Sequence, residues 1–158
     1  DIDPAIIFHL ARTHHLAFPA IEELLNRKSG LLGLSGMSND FRALEEAIAT
    51  SDRARLAVEV FCYRVRKYIG AYLAVLGRAH AVVFTGGIGE RGPVPRRKIL
   101  EGLENLGIEL DVAANEAAFG REATISTPTS RVAVLVVPTN EELMIARDTL
   151  AVARSGRR

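Results

Sequence analysis

Residues 79–84 read Ala-His-Ala-Val-Val-Phe and run, after a single threonine, into GGIGERG; no other stretch restricts the fold so tightly. The run is short, apolar and β-branched at its centre, which predicts a buried strand. Glycines at 86, 87, 89 and 92 let the chain leaving that strand take positive φ and approach a ligand closely, with several N–H groups converging. A helix start behind them favours an anion, so phosphate is the expected guest. The plainer alternative is a tight strand-to-helix turn that binds nothing. A second strand is expected at 131–137, RVAVLVV, apolar on both faces as parallel-sheet strands are and stopped by Pro138. A third, brief one is expected at 108–110.

Helices are expected around these strands. Asp3-Pro4 opens one that runs to about Thr13, and a second follows Pro19. The segment 28–40, rich in glycine and serine, reads as a loop, after which Asn39 or Asp40 caps a helix through Ile48. The longest helix covers 51–76 and ends at Gly77. Its packed face is expected along Leu56, Val60, Val65, Ile69, Leu73 and Leu76, with Tyr63, Tyr68 and Tyr72 on or beside it. Further helices are expected over 95–106, ended by Gly107, over 111–120, and over 140–152. Strand–helix alternation after long helices predicts an α/β fold, helix-rich with few parallel strands.

Length and charge narrow the classes of function. The 158 residues are one domain's worth, with 48 % hydrophobic and 25 % charged residues, a globular composition. Twenty basic against nineteen acidic residues leave +1, which excludes a strongly basic nucleic-acid coat or an acidic tail. A single cysteine forms no internal disulfide, pointing to a reducing compartment. No apolar run nears the ~20 residues of a membrane span, and the acidic tip is unlike a signal peptide. The expectation is a soluble cytoplasmic domain with neither nucleic acid nor membrane as partner. The first residue is Asp1, inside a helix start, so the chain reads as a piece of something longer.

Two motifs compete for the glycine cluster. The P-loop pattern fails, since Arg91 and Gly92 stand where lysine and serine or threonine are required. Residues 87–92 do match G-x-G-x-x-G, and Glu109 or Asp111 lies at the distance of a ribose-binding acid. Pro93 and Pro95 oppose that dinucleotide reading, because they fall where its helix is already under way.

At the end of the second strand, Thr139 and Glu142 have the spacing of a capping box, which gives Glu142 a structural task. Glu141 is left unemployed, projecting from the first helical turn at the strand's carboxyl end. A carboxylate there suits Mg²⁺; the alternative is a solvated side chain favouring the helix dipole. Asp40, Phe41 and Arg42 could grip a nucleotide's ring or sugar edge, or form a surface ion pair. Cys62 reads as a small core residue. His9, His14, His15 and His80 lack metal-ligand spacing, and Arg64, Arg66 and Lys67 read as the wet side of the long helix.

With these residues in view, the chain resembles the C-terminal half of the acetate kinase family. The resemblance rests on DIDPAIIFHL, LLNRKSGLLGLSG, FCYRVRKYIGAY, VVFTGGIGER and VVPTNEELMIARDT, from Asp1 to about Thr149. It implies an incomplete ribonuclease-H-like domain of the acetate and sugar kinase/actin superfamily: a nucleotide-binding fragment at 1–153 and a disordered basic tail at 154–158. It also implies reversible phosphoryl transfer between ATP and acetate with Mg²⁺, in a cytoplasmic homodimer. By the same resemblance Asp40, Phe41 and Arg42 match a nucleotide segment, with Phe41 where the family has methionine and an apolar adenine contact retained. Gly86, Gly87, Ile88, Gly89 and Glu90 match the loop facing the phosphates, Arg91 replaces the family's usual asparagine, and Glu141 matches the metal-binding glutamate. The catalytic arginines, aspartate and histidine would lie upstream, so this piece alone is expected not to turn over. Its first strand would have an open edge prone to aggregation. The rival readings are a non-catalytic dimerisation or nucleotide-binding module, and a nicotinamide-binding domain resting on G-x-G-x-x-G alone.

Overall fold

The computed structural model describes residues 2–155. Two compact units make up the chain, the first up to Val65 and the second from Arg66.

The first unit is all helix: α1 (Ala5–Thr13), α2 (Phe18–Arg27), α3 (Gly30–Ser35), α4 (Phe41–Glu46) and the opening part of α5 (Asp52–Leu76). The starts follow local chemistry. Asp3 Oδ1 accepts the Ala5 N–H at 2.9 Å, Asp40 Oδ1 accepts the Arg42 N–H at 2.9 Å, and Ser51 Oγ accepts the Ala54 N–H at 3.2 Å. Helix α3 lies inside the segment expected to be a loop. Gly36, at φ 69°, ends it, and Arg53 donates to the last carbonyls, Leu34 at 2.9 Å and Gly33 at 3.2 Å.

The buried side chains of this unit are Ile21, Phe41, Leu44, Ala54, Ala57, Val58 and Cys62. The packed face of α5 is the expected one only in part: Val60, Val65, Ile69 and Leu73 are half-buried, Leu56 and Leu76 are exposed, and the fully buried positions are Ala54, Ala57, Val58 and Cys62. Small residues form the seam, which a reading weighted toward large aliphatic side chains misplaces. Tyr63, Tyr68 and Tyr72 are also exposed, the last two stacked with centroids 6.3 Å apart.

The second unit continues α5 and then alternates. Gly77, at φ 66°, ends α5 as expected. There follow β1 (Ala81–Phe84), α6 (Gly86–Arg91), α7 (Pro93–Leu100), a 3₁₀ turn (Glu104–Leu106), α8 (Val112–Ala117), β2 (Ala123–Thr124), β3 (Ala133–Val136) and α9 (Glu141–Ser155). The sheet is small and mixed, in the order β1-β3-β2. Strand β1 runs parallel to β3 with Phe84 opposite Val136, and β2 runs antiparallel to β3. Val134, Val136, Phe84, Ile99, Leu100, Ile108 and Ile125 are among its buried residues.

Several boundaries differ from expectation. The strand expected at 108–110 is a single bridge, Leu110 to Ser126. The helix expected over 95–106 stops at Leu100, because Glu101 turns extended and Gly102 takes φ 80°. Arg66 is not a solvated residue: its guanidinium donates to the Ile99 carbonyl at 3.1 Å and to that of Lys98, closing the carboxyl end of α7. Helix α9 continues to Ser155, so Arg154 and Ser155 of the expected tail are helical, while 156–158 lie outside the described residues. No described helix is long and apolar enough to cross a membrane.

Candidate functional site at the carboxyl edge of the parallel strands

In the register of β1 and β3 the two strands end level, and the Val137 N–H donates to the Phe84 carbonyl at 2.9 Å just beyond the sheet. Thr85 is extended, and Gly86 then takes φ 69°, a conformation a side chain resists. The glycine cluster is thus no loop but the first turn of α6. Gly92 has a different reason: a Cβ there would overlap Pro95 and the Ile88 carbonyl. Within the six-residue spacing that imitates a dinucleotide fingerprint, Gly92 thus answers a steric demand, a Cβ at Gly89 would come within 3.1 Å of the Phe84 backbone, and Gly87 meets no neighbour at all.

The first amides of any helix lack an intrahelical acceptor. In α6 the Gly86 N–H is met by the Glu90 carboxylate, reaching back four residues to 2.9 Å. The same oxygen, Oε1, accepts the Thr139 N–H at 2.7 Å and the Thr139 hydroxyl at 2.9 Å. Glu90 is only 9 % exposed. The Thr139 amide, then its hydroxyl, hold its carboxyl below the usual carboxylate range, and the Gly86 amide and the Arg91 charge add to this. The Glu90 carbonyl also accepts the Gly120 N–H at 2.9 Å. Gly87 and Ile88 are exposed, and their amides face no intrahelical acceptor.

Beneath the turn sits Arg96, 0 % exposed. Its guanidinium donates to the Gly89 carbonyl at 2.7 Å, to Asn115 Oδ1 at 2.7 Å, and to the carbonyls of Asn115 at 2.8 Å and Ala118 at 2.7 Å. Asn115 in turn donates to the Pro93 carbonyl at 2.9 Å. All these partners are neutral, and burial pushes the guanidinium down from its usual value, although an arginine keeps its proton. With Glu90 negative and Arg91 and Arg96 positive, the turn carries an excess of one positive charge. Neither Arg96 nor Asn115 stood out in the sequence. Each lies in an ordinary helical pattern, and only the meeting of α7 with α8 reveals the pair.

The expected capping box does not form. Thr139 gives both its donors to Glu90, and Asn140 caps α9 instead, its Oδ1 accepting the Leu143 N–H at 3.0 Å. Glu142 accordingly has no return bond to make and is exposed, as is Glu141 at the first position of α9. The acids offered for a ribose are both committed elsewhere. Glu109 Oε2 accepts the Thr129 hydroxyl at 2.7 Å and the Thr127 hydroxyl at 3.0 Å, and Asp111 caps α8 through the Ala114 N–H at 2.9 Å.

Asp40, Phe41 and Arg42 belong to the first unit. The Phe41 ring, expected to offer an adenine contact, is only 6 % exposed and packs on Phe61 with centroids 4.9 Å apart. Asp40 and Arg42 are exposed, and Arg42 lies 3.7 Å from Glu46. The four histidines and Cys62 assemble no metal centre: no group of three His, Cys, Asp or Glu among the described residues could hold an ion.

A parallel strand pair whose carboxyl ends carry a glycine turn and the start of a long helix is the ligand-binding edge of an open α/β protein. The chain belongs to the acetokinase family, whose model matches residues 1–147. It is 56 % identical over 153 residues to an acetate kinase of Dictyoglomus thermophilum, covering 96 % of this chain and 38 % of that relative. Among solved structures, Porphyromonas gingivalis acetate kinase superposes with a TM-score of 0.89 at 45 % identity, over 97 % of this chain and 39 % of that one. A propionate kinase from Francisella tularensis gives 0.84 at 37 % identity, over 92 % and 37 %. The chain thus spans under two fifths of these relatives' lengths, and its helix-rich α/β fold is that of the acetate and sugar kinase superfamily.

Proposed function

We propose that this chain is the carboxyl-terminal, nucleotide-binding half of an acetate kinase, which transfers a phosphoryl group reversibly between ATP and acetate. The observation that carries the reading is the junction of the α6 turn with the start of α9 through Glu90, in a chain of this family. Gly87, Ile88 and Arg91 are exposed on a turn of net positive charge, a setting for the polyphosphate of a nucleotide. Gly86 and Gly89 shape that turn. In the first unit, taken by itself, Asp40 and Arg42 are exposed polar groups at the head of α4, of a kind that suits a nucleotide's base or sugar, and Phe41 anchors that head from the interior.

Mg²⁺ fits the donors present. It binds through one or two carboxylates together with waters and phosphate oxygens. Glu141, exposed at the head of α9, is the residue that would hold it. When bound, the ion neutralises charge on the phosphate oxygens. Acetate itself, a homodimeric assembly and a cytoplasmic setting belong to the same proposal. Turnover needs more cations around the moving phosphoryl group than this turn supplies, so the isolated chain is expected to be inactive.

The test is formation of acetyl phosphate, trapped as the hydroxamate, by the full-length parent with ATP, Mg²⁺ and acetate. A parent inert on acetate, propionate and butyrate alike overturns the reading.

A further inference from the structure

We propose that Glu90 is a positioning residue, which sets the spacing between the exposed glycine turn and the Glu141 carboxylate. The inference rests on the kinase reading above and deepens it. Three donors converge on one Glu90 oxygen, one from Gly86 in its own turn and two from Thr139, 49 residues further along the chain than Glu90. Thr139 stands two residues before Glu141. The β1–β3 ladder ends with the Val137 bond to Phe84, so Glu90 adds one further tie at the point where the two chains would otherwise diverge.

Other groups already perform the structural tasks nearby. Asn140 caps α9, and Arg96 secures the Gly89 carbonyl from beneath. Among the described residues, Glu90 is the side chain that links the two sides of the edge beyond the Val137–Phe84 bond. A carboxylate on the Gly86 amide also withdraws that donor from an incoming phosphate, which directs the anion to the amides of Gly87 and Ile88.

The experiment uses the full-length parent, with E90Q, E90D and T139V, under separate titrations of Mg²⁺–ATP, free Mg²⁺ and acetate. Loss of a supporting hydrogen bond to a metal-side group costs about 10–100-fold in metal affinity or activity. E90Q is expected to raise the KM for Mg²⁺–ATP and the half-saturating Mg²⁺ by about tenfold, with the acetate KM within about twofold. E90D keeps the charge but is one methylene too short for both turns, so it should not rescue. T139V removes one of the three donors and should shift the same two parameters by less, and it serves if E90Q fails to fold. A fall in kcat and melting temperature with every KM unchanged would reduce Glu90 to a structural prop and overturn the proposal. An inert wild type removes the kinase reading and this inference together; an active wild type with unshifted variants removes this inference alone.

Discussion

Arg96 is a full positive charge withdrawn from water and satisfied by four neutral acceptors. Lysine has one nitrogen in place of the planar fork and cannot reach all four. R96K should therefore leave buried carbonyls unpaired and cost about 3 kcal/mol, read as a lower urea midpoint at unchanged slope. The two stabilised carboxylates make a prediction about acid. Glu109 is held low by the Thr129 hydroxyl first, then by that of Thr127 and the Arg131 charge, and Glu90 chiefly by Thr139. An unfolded glutamate titrates near ~4.3. Each group's contribution to stability is thus complete above that value and lost as pH falls through the lower native one. Urea midpoints should rise with pH across this acid range, and E90Q or E109Q should each flatten the rise.

At the scale of elements, the start of α9 separates two readings of one tetrad. If Asn140 is the cap, N140A costs about 1 kcal/mol and speeds exchange of the Leu143 amide. T139V and E142Q should leave that amide protected; faster exchange of the Glu142 amide in T139V, with Leu143 unmoved in N140A, would restore the capping box. Thr139 and Asn140 are both good caps and adjacent, so the sequence alone could not rank them. The choice is made by Glu90, far away in the chain, which claims Thr139 first. The same division holds elsewhere. Strands β1 and β3 were legible because short β-branched runs end at glycine and proline, and the start of α4 because its cap, read as Asn39 or Asp40, acts within three residues; Asp40 is the one that caps. Helix α3, six residues that open on Gly30 and stop before Gly36, both at positive φ, looked like a loop. The two residues of β2 carry no pattern at all and exist only by pairing with β3. Of the site, the glycine turn and the exposed Glu141 were readable, whereas the bonds made by Glu90, Arg96 and Asn115 depend on partners that no local pattern reveals.

For the molecule as a whole, β1 is the last strand on its side of the sheet among the described residues, and Val83 on it is 51 % exposed. An open edge of this kind is a template for pairing with another chain. The isolated chain should self-associate as its concentration rises, and V83K should lower the mass seen by sedimentation velocity. Undiminished association in V83K would place the contact elsewhere. The Glu90–Thr139 bond, finally, has a history in time as well as a place in space. A ribosome adding about 5–20 residues per second needs roughly 2–10 s to travel the 49 residues between its two ends. Throughout that interval the glycine turn has been synthesised without its partner, and β1 waits for β3. Completion of this edge therefore waits for Thr139, and a translation product halted before that residue would carry every glycine of the motif and still lack the bond that completes it.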